Sequence, residues 1–255
     1  MPVHAGDLTP DPNEVEEFQR ARERVLTRIA DACARVGRSA DAVALLPVSK
    51  TVSPERLAAA LVAGFGLLGE NRVQEIAAKA PFLPAARWHL IGPLQSNKAR
   101  RAVELCEAIQ SLDSATLGLR LDRLRREARG LPTNGPVEPG RRLAVYLQVN
   151  VDEDPAKFGF QAGDLEAALD VLAGCEALEI VGLMTVGRLV ASAEAARSTF
   201  AGLRALSERL RRDRPVLGAG LSMGMSEDYP VAIEEGATLV RVGRAIFGER
   251  RTTAG

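Results

Sequence analysis

Apolar positions along the chain follow two periods. Between Glu14 and about Val36, Phe18, Val25, Ile29 and Cys33 recur at spacings of four and seven residues, which predicts a helix with one packed face, capped at Asn13. From Val43 onward short apolar runs alternate with helical stretches to the end of the chain. The predicted strands are AVALLPVS, GLLGE, RWHLIG, AIQSLDS, LAVYLQVN, EIVGLMTV, VLGAGLSM and TLVRVG. Between them lie the helical segments PERLAAALVAG, NRVQEIAAKA, NKARRAVELC, ATLGLRLDRLRREAR, DLEAALDVLAG, AEAARSTFAGLRALSERLRRD and EDYPVAIEEG.

Eight strand–helix units in 255 residues match a closed α/β barrel, which takes roughly 250 residues. The runs are apolar on both faces, as parallel strands covered by helices must be. The predicted fold is a single (β/α)8 TIM barrel with an extra N-terminal helix; an open doubly wound sheet is the competing architecture. Residues 1–12 read as a loosely ordered lead-in and 13–255 as the barrel domain. The stretch GLPTNGPVEPG (Gly130 to Gly140) is predicted to be a helix-to-strand loop on the N-terminal face. A linker there would leave four units on either side, neither able to bury its sheet edge.

Composition removes several classes of function. The 33 basic and 33 acidic side chains cancel, leaving no overall field for nucleic acid or an anionic membrane. The helix from Arg120 to Arg129 mixes Asp and Glu among its arginines and reads as a solvated face. Three scattered cysteines, Cys33, Cys106 and Cys175, make neither a disulfide framework nor a zinc site. The first residues carry no basic segment followed by an apolar one, and no apolar window is long enough to span a bilayer, so a cytoplasmic location is expected. No exposed apolar stripe calls for a dimer, and a monomer is expected.

Chemistry in a parallel barrel collects where strands end. Those positions are Lys50; Glu70, Asn71 and Arg72; Gly92, Pro93 and Gln95; Asp113; Gln148 and Asn150; Met184 and Thr185; Ser222 and Met223; Arg241 and Gly243. SMGMS (Ser222 to Ser226) and VGRAIFG (Val242 to Gly248) place Gly224 and Gly243 at the corner where barrels bind phosphate, although glycines also serve plain turns. Arg241 sits in an apolar strand and needs an acceptor, either a strand-end carboxylate or a ligand. Lys50 closes strand one, beside strand eight, and faces the same mouth. On residue chemistry alone it is an anion clamp, a salt-bridge partner or a Schiff-base nucleophile. His89, one of two histidines, reads as a hydrogen-bonded structural residue more readily than as a base, and Trp88 as packing.

The segments PVSKT, GENRVQE, WHLIGPLQSNK, QVN, KFGF, GLMTV and LSMGMSEDYPVAIEEGATLVRVGRAIFGER resemble those of the pyridoxal phosphate homeostasis proteins. That family is similar to the barrel domain of fold-type III enzymes such as alanine racemase. The resemblance runs from about Ala42 to Arg250 and rests on long, ordered motifs. It implies a pyridoxal 5′-phosphate carrier. By resemblance Lys50 forms the internal aldimine; Ser222 with the backbone of Met223, Gly243 and Arg244 holds the phosphate; Arg241 approaches the pyridine nitrogen; Asn71 and Met184 border the ring. An arginine there keeps the nitrogen unprotonated and weakens the ring as an electron sink.

Two stretches depart from the family pattern. Gly187 and Arg188 stand where prolines are common, and Leu68 where Phe is common. The nearest enzymatic alternative is an amino-acid racemase, which needs a second base opposite the lysine, supplied in those enzymes by a tyrosine associated with a further β-domain. The chain is expected to lack that domain, and neither Tyr146 nor Tyr229 stands out as a strand-end base, although Tyr229 lies near SMGMS. A cofactor-free lysine aldolase explains Lys50 but not the motifs. The expected role is therefore a PLP-binding, non-catalytic protein of vitamin B6 homeostasis, with PLP-dependent apoenzymes as possible recipients.

Overall fold

The computed structural model describes residues 8–187 and 192–248. Eight parallel strands alternate with helices: β1 Ala44–Pro47, β2 Leu67–Glu70, β3 Arg87–Leu90, β4 Ala108–Leu112, β5 Leu143–Gln148, β6 Leu178–Met184, β7 Gly220–Ser222 and β8 Leu239–Val242. The helices are α1 Pro12–Arg35, α2 Pro54–Val62, α3 Val73–Lys79, α4 Ala99–Leu105, α5 Ala115–Arg129, α6 Leu165–Leu172, α7 Arg197–Asp213, α8 Tyr229–Glu234 and the short α9 Arg244–Phe247. Sheet order is β1-β8-β7-β6-β5-β4-β3-β2. The ring closes where Val48 bridges Gly69 and the Ser49 N–H donates to the Gly69 carbonyl at 2.9 Å. This is the (β/α)8 barrel read from the alternation, with β1 paired to β8 along Leu46 and Arg241.

Helix α1 lies outside the repeat. Its apolar face, Phe18, Val25, Ile29 and Cys33, packs on α2, α8 and α9, and the Phe18 and Phe247 rings meet edge to face at 5.5 Å. The cap is Asp11, not Asn13: Pro12 occupies the first turn, where its missing N–H costs nothing, and the Asp11 carboxylate accepts the Asn13 N–H at 2.9 Å. Residues 1–7 of the predicted lead-in, Arg188, and Arg250 at the end of the resemblance lie outside the described residues; Leu8 already packs against the core.

Strand β7 is shorter than predicted because glycines bring the chain against its neighbour. A Cβ on Gly218 would lie 2.3 Å from the Val181 carbonyl oxygen, and one on Gly182 would lie 1.8 Å from that of Gly220. The Gly130–Gly140 stretch joins α5 to β5, beneath the barrel. The face of α5 predicted to be solvated is not wholly so. Arg125 and Arg126 are buried, Arg126 Nη1 donating to the carbonyls of Pro132 and Gly135 and Arg125 to those of Arg141 and Arg142. These arginines tie down the loop, since a fork of donors can satisfy several stranded carbonyls. Among the described residues no helix is long and apolar enough to cross a membrane.

Candidate functional site

The apolar run of β1 delivers the chain to the barrel mouth and then turns sharply. Thr51, immediately after Lys50, has φ of +66°, a region β-branched residues rarely enter and one that costs on the order of 1–3 kcal/mol. Buried polar groups hold that turn. The Ser49 hydroxyl, fully buried, donates to Glu70 Oε1 at 2.8 Å with the Gly69 carbonyl 3.2 Å away, and Lys79 Nζ binds Glu70 Oε1 and, at 3.0 Å, the Ser49 carbonyl. Glu70 is thus not a mouth residue. Burial raises its pKa against the opposing pull of Lys79, and its other oxygen has no partner. Lys50 itself is half-buried and borders open space.

That space is a cavity of about 540 Å³, inside the usual range for a small-molecule site. Lys50, Asn71, Arg241, Gly243 and Arg244 line it together with Ser226, Asp228 and Gly187. Met184, Ser222 and Met223 do not; each is fully buried behind the wall. The second serine of SMGMS is the one at the mouth. Gly224 takes φ of +89° and has no room for a Cβ, which would meet Ala232 Cβ at 2.6 Å, so the chain folds back and presents residues 225–228 to the cavity. The Ser226 hydroxyl accepts the Gly243 N–H at 3.2 Å, and Asp228 Oδ1 accepts the Met225 N–H at 2.6 Å. Burial raises the Asp228 pKa, with that N–H opposing. Arg244 pairs with Glu227 at 2.7 Å on the open rim.

Arg241 combines a buried charge with neutral partners. Its Nη1 donates to Ser222 Oγ and its Nη2 to the Thr185 carbonyl, both at 2.7 Å, and burial lowers its pKa to about 10 while Asp228 pulls it back. Ser222 Oγ in turn donates to Gln110 Oε1 at 2.7 Å, and Gln110 Nε2 meets His89 Nδ1 at 2.8 Å. His89 is therefore an interior hydrogen-bonded residue; burial first, and Arg87 second, push its pKa down to about 4.

Other strand-end residues hold loops. Gln148 donates to the Phe158 carbonyl, Asn150 clasps residue 154 through two bonds, and Thr185 Oγ1 donates to the Val149 carbonyl. Neither tyrosine lines the cavity: Tyr229 is fully buried with Arg28 over its ring at 5.1 Å, and burial lifts the Tyr146 hydroxyl to about 12. Leu68 is fully buried, a packing position. Among the described residues no cluster of metal-ligating side chains occurs.

Residues 25–251 match the alanine racemase N-terminal domain family. The chain is similar to the pyridoxal phosphate homeostasis protein of Aquifex aeolicus, 38% identical over 89% of this chain and 96% of that one. It is also similar to the Escherichia coli K12 protein of the same name, 34% identical over 89% and 94%. Among solved structures it resembles PipY of Synechococcus elongatus with PLP bound, with a TM-score of 0.73 and 39% identity over 86% of this chain and 100% of that one. Alanine racemase of Clostridium difficile, at 12% identity and a TM-score of 0.66, shares the barrel, which spans 93% of this chain and 58% of that one.

Proposed function

Because the chain belongs to the pyridoxal phosphate homeostasis protein family, we propose that it binds pyridoxal 5′-phosphate at the barrel mouth and serves PLP homeostasis by holding the cofactor. The observation that carries this reading is convergence. Lys50 from the end of β1, Arg241 from β8 and the Ser226–Gly243–Arg244 corner face one cavity, although Lys50 lies far from the others in sequence.

When bound, the cofactor supplies an aldehyde, a phosphate and a pyridine nitrogen. Each has a counterpart in the cavity. Lys50 Nζ is the amine that would meet the aldehyde; the strained turn at Thr51 and the Glu70–Lys79 pair fix where it emerges. The Ser226 hydroxyl and the Arg244 guanidinium would supply donors for a phosphate, joined by the Gly243 N–H if it turns from Ser226 Oγ to the ligand, taking the place given by resemblance to Ser222 and Met223. Arg241 offers its remaining donors to the ring nitrogen. A guanidinium only donates, so the nitrogen it faces stays unprotonated and the ring is a poor electron sink. Asn71 borders the ring space, while Met184 packs behind it.

That electronic poise favours holding over turnover. The ionisable side chains among the described lining residues are Lys50, Arg241, Arg244, Glu227 and Asp228, and neither tyrosine is one of them. Delivery to PLP-dependent apoenzymes is the use such a carrier serves. An absorbance titration tests the reading. The wild type gains a visible band on addition of PLP, Lys50→Ala does not, and neither washes deuterium into alanine at enzymatic rates. A protein that takes up no PLP, or one that racemises amino acids with sustained turnover, would overturn it.

A further inference from the structure

A buried polar chain crosses the barrel beneath the cavity, from β3 through β4 and β7 to β8. Its members are His89, Gln110, Ser222 and Arg241, with exposures of 7%, 0%, 0% and 4%. Successive contacts are 2.8, 2.7 and 2.7 Å. A barrel interior is ordinarily filled by branched apolar side chains, and a neutral amide at its centre is costly unless both of its ends are satisfied.

The direction of the chain follows from one fact: arginine has no acceptor. Arg241 Nη1 must donate to Ser222 Oγ, which leaves the serine proton for the Gln110 carbonyl. The Gln110 amide then donates to His89 Nδ1, placing the imidazole proton on Nε2, which faces Glu107 at 4.0 Å. Gln110 is the link that gives the Ser222 proton an acceptor and joins it, through its amide N–H, to His89. Without it Ser222 has no acceptor on that side and is free to rotate away from Arg241. Among the described residues the guanidinium then keeps one hydrogen-bonded anchor, the Thr185 carbonyl.

We propose that Gln110 is the positioning residue for Arg241: acting through Ser222, it fixes the plane in which the guanidinium meets a ligand in the cavity. The proposal deepens the reading of the cavity as a PLP site, and it makes a residue outside the lining a determinant of affinity and of the bound cofactor's spectrum.

Three variants test it. Gln110→Leu keeps the volume and removes both hydrogen bonds; Ser222→Ala removes one hydroxyl; Gln110→Glu restores the chain, since its carboxylate accepts from Ser222 on one side and from a His89 Nδ1–H on the other. Gln110→Leu and Ser222→Ala are expected to bind PLP about tenfold more weakly, the scale of one lost buried hydrogen bond, and to shift the band of the bound cofactor. Gln110→Glu returns both toward the wild type. Crystal structures of the variants without PLP are expected to show Arg241 displaced in the first two and in place in the third.

Folded Gln110→Leu or Ser222→Ala protein with wild-type affinity, wild-type spectrum and an unmoved Arg241 overturns the proposal. If Gln110→Leu fails to fold, Ser222→Ala decides on the same readouts. A wild type that binds no PLP overturns the function assigned to the cavity, and the position of Arg241 in the variant crystals still decides the role of Gln110.

Discussion

His89 shows what burial does to a single titratable group. Its neutral form is favoured in the folded state, with a pKa of about 4 against 6.5 in the open chain. The unfolded chain therefore binds the extra proton across that window. Stability is fully present above pH 6.5 and falls as the pH drops toward 4, by about 3 kcal/mol at about 1.4 kcal/mol per unit. Asp113 and Asp228, whose burial raises their pKa values, act in the opposite sense, so the comparison must isolate the histidine. Denaturant melts at pH 7 and pH 4.5 should show a smaller acid loss in His89→Gln than in the wild type; equal losses would contradict the assignment. Legibility at this scale was uneven. Lys50 could be found because an apolar run ends in a charge, and Arg241 because a charge interrupts one. Ser226 could not be told from Ser222, because the choice depends on the positive φ of Gly224, which only the folded loop reveals. The Glu70–Lys79 pair was hidden for a related reason: a carboxylate after a strand reads as solvent-facing until its partner on α3 is placed.

At the scale of elements, alternation located all eight strands, but their lengths depended on contacts between neighbours. Strands β6 and β7 approach closely only because Gly182 faces Gly220, where a Cβ would lie 1.8 Å from a backbone oxygen. Gly182→Ala is expected to cost about 3 kcal/mol or more, since backbone on both sides must shift. A thermal melt checks it, and a variant as stable as the wild type would show that the two strands can part without loss. Helix α5 makes the converse point. Its charge pattern suited a wet surface, yet Arg125 and Arg126 bind the carbonyls of the loop that follows. Composition cannot separate these cases, because an arginine stem packs as readily as its head is solvated. The cap of α1 shifted from Asn13 to Asp11 through the preference of proline for the first turn.

The whole molecule is ordered by one closure. Counting strand–helix units predicted that β1 and β8 would be neighbours, and this pairing brings a lysine near the start of the chain to the corner formed by the last two strand-end loops. What the count did not foresee is that the interior beneath the mouth is polar. A hydrogen-bonded chain runs beneath Arg241 inside the barrel, and the buried Glu70–Lys79 pair holds the turn before Lys50 from the helix side. The barrel thus carries Lys50 and Arg241, two cations that line its cavity, at strand ends, each held by buried polar groups behind it.

Lys50 is proposed to hold the cofactor as a Schiff base at this mouth. Borohydride reduction of the PLP-loaded protein, followed by digestion and peptide mass analysis, tests it directly. A reduced pyridoxyl group on the peptide carrying Lys50, absent in Lys50→Ala, is the predicted result. Label confined to Lys79, Lys98 or Lys157, or no label on a protein that still binds PLP, would contradict it.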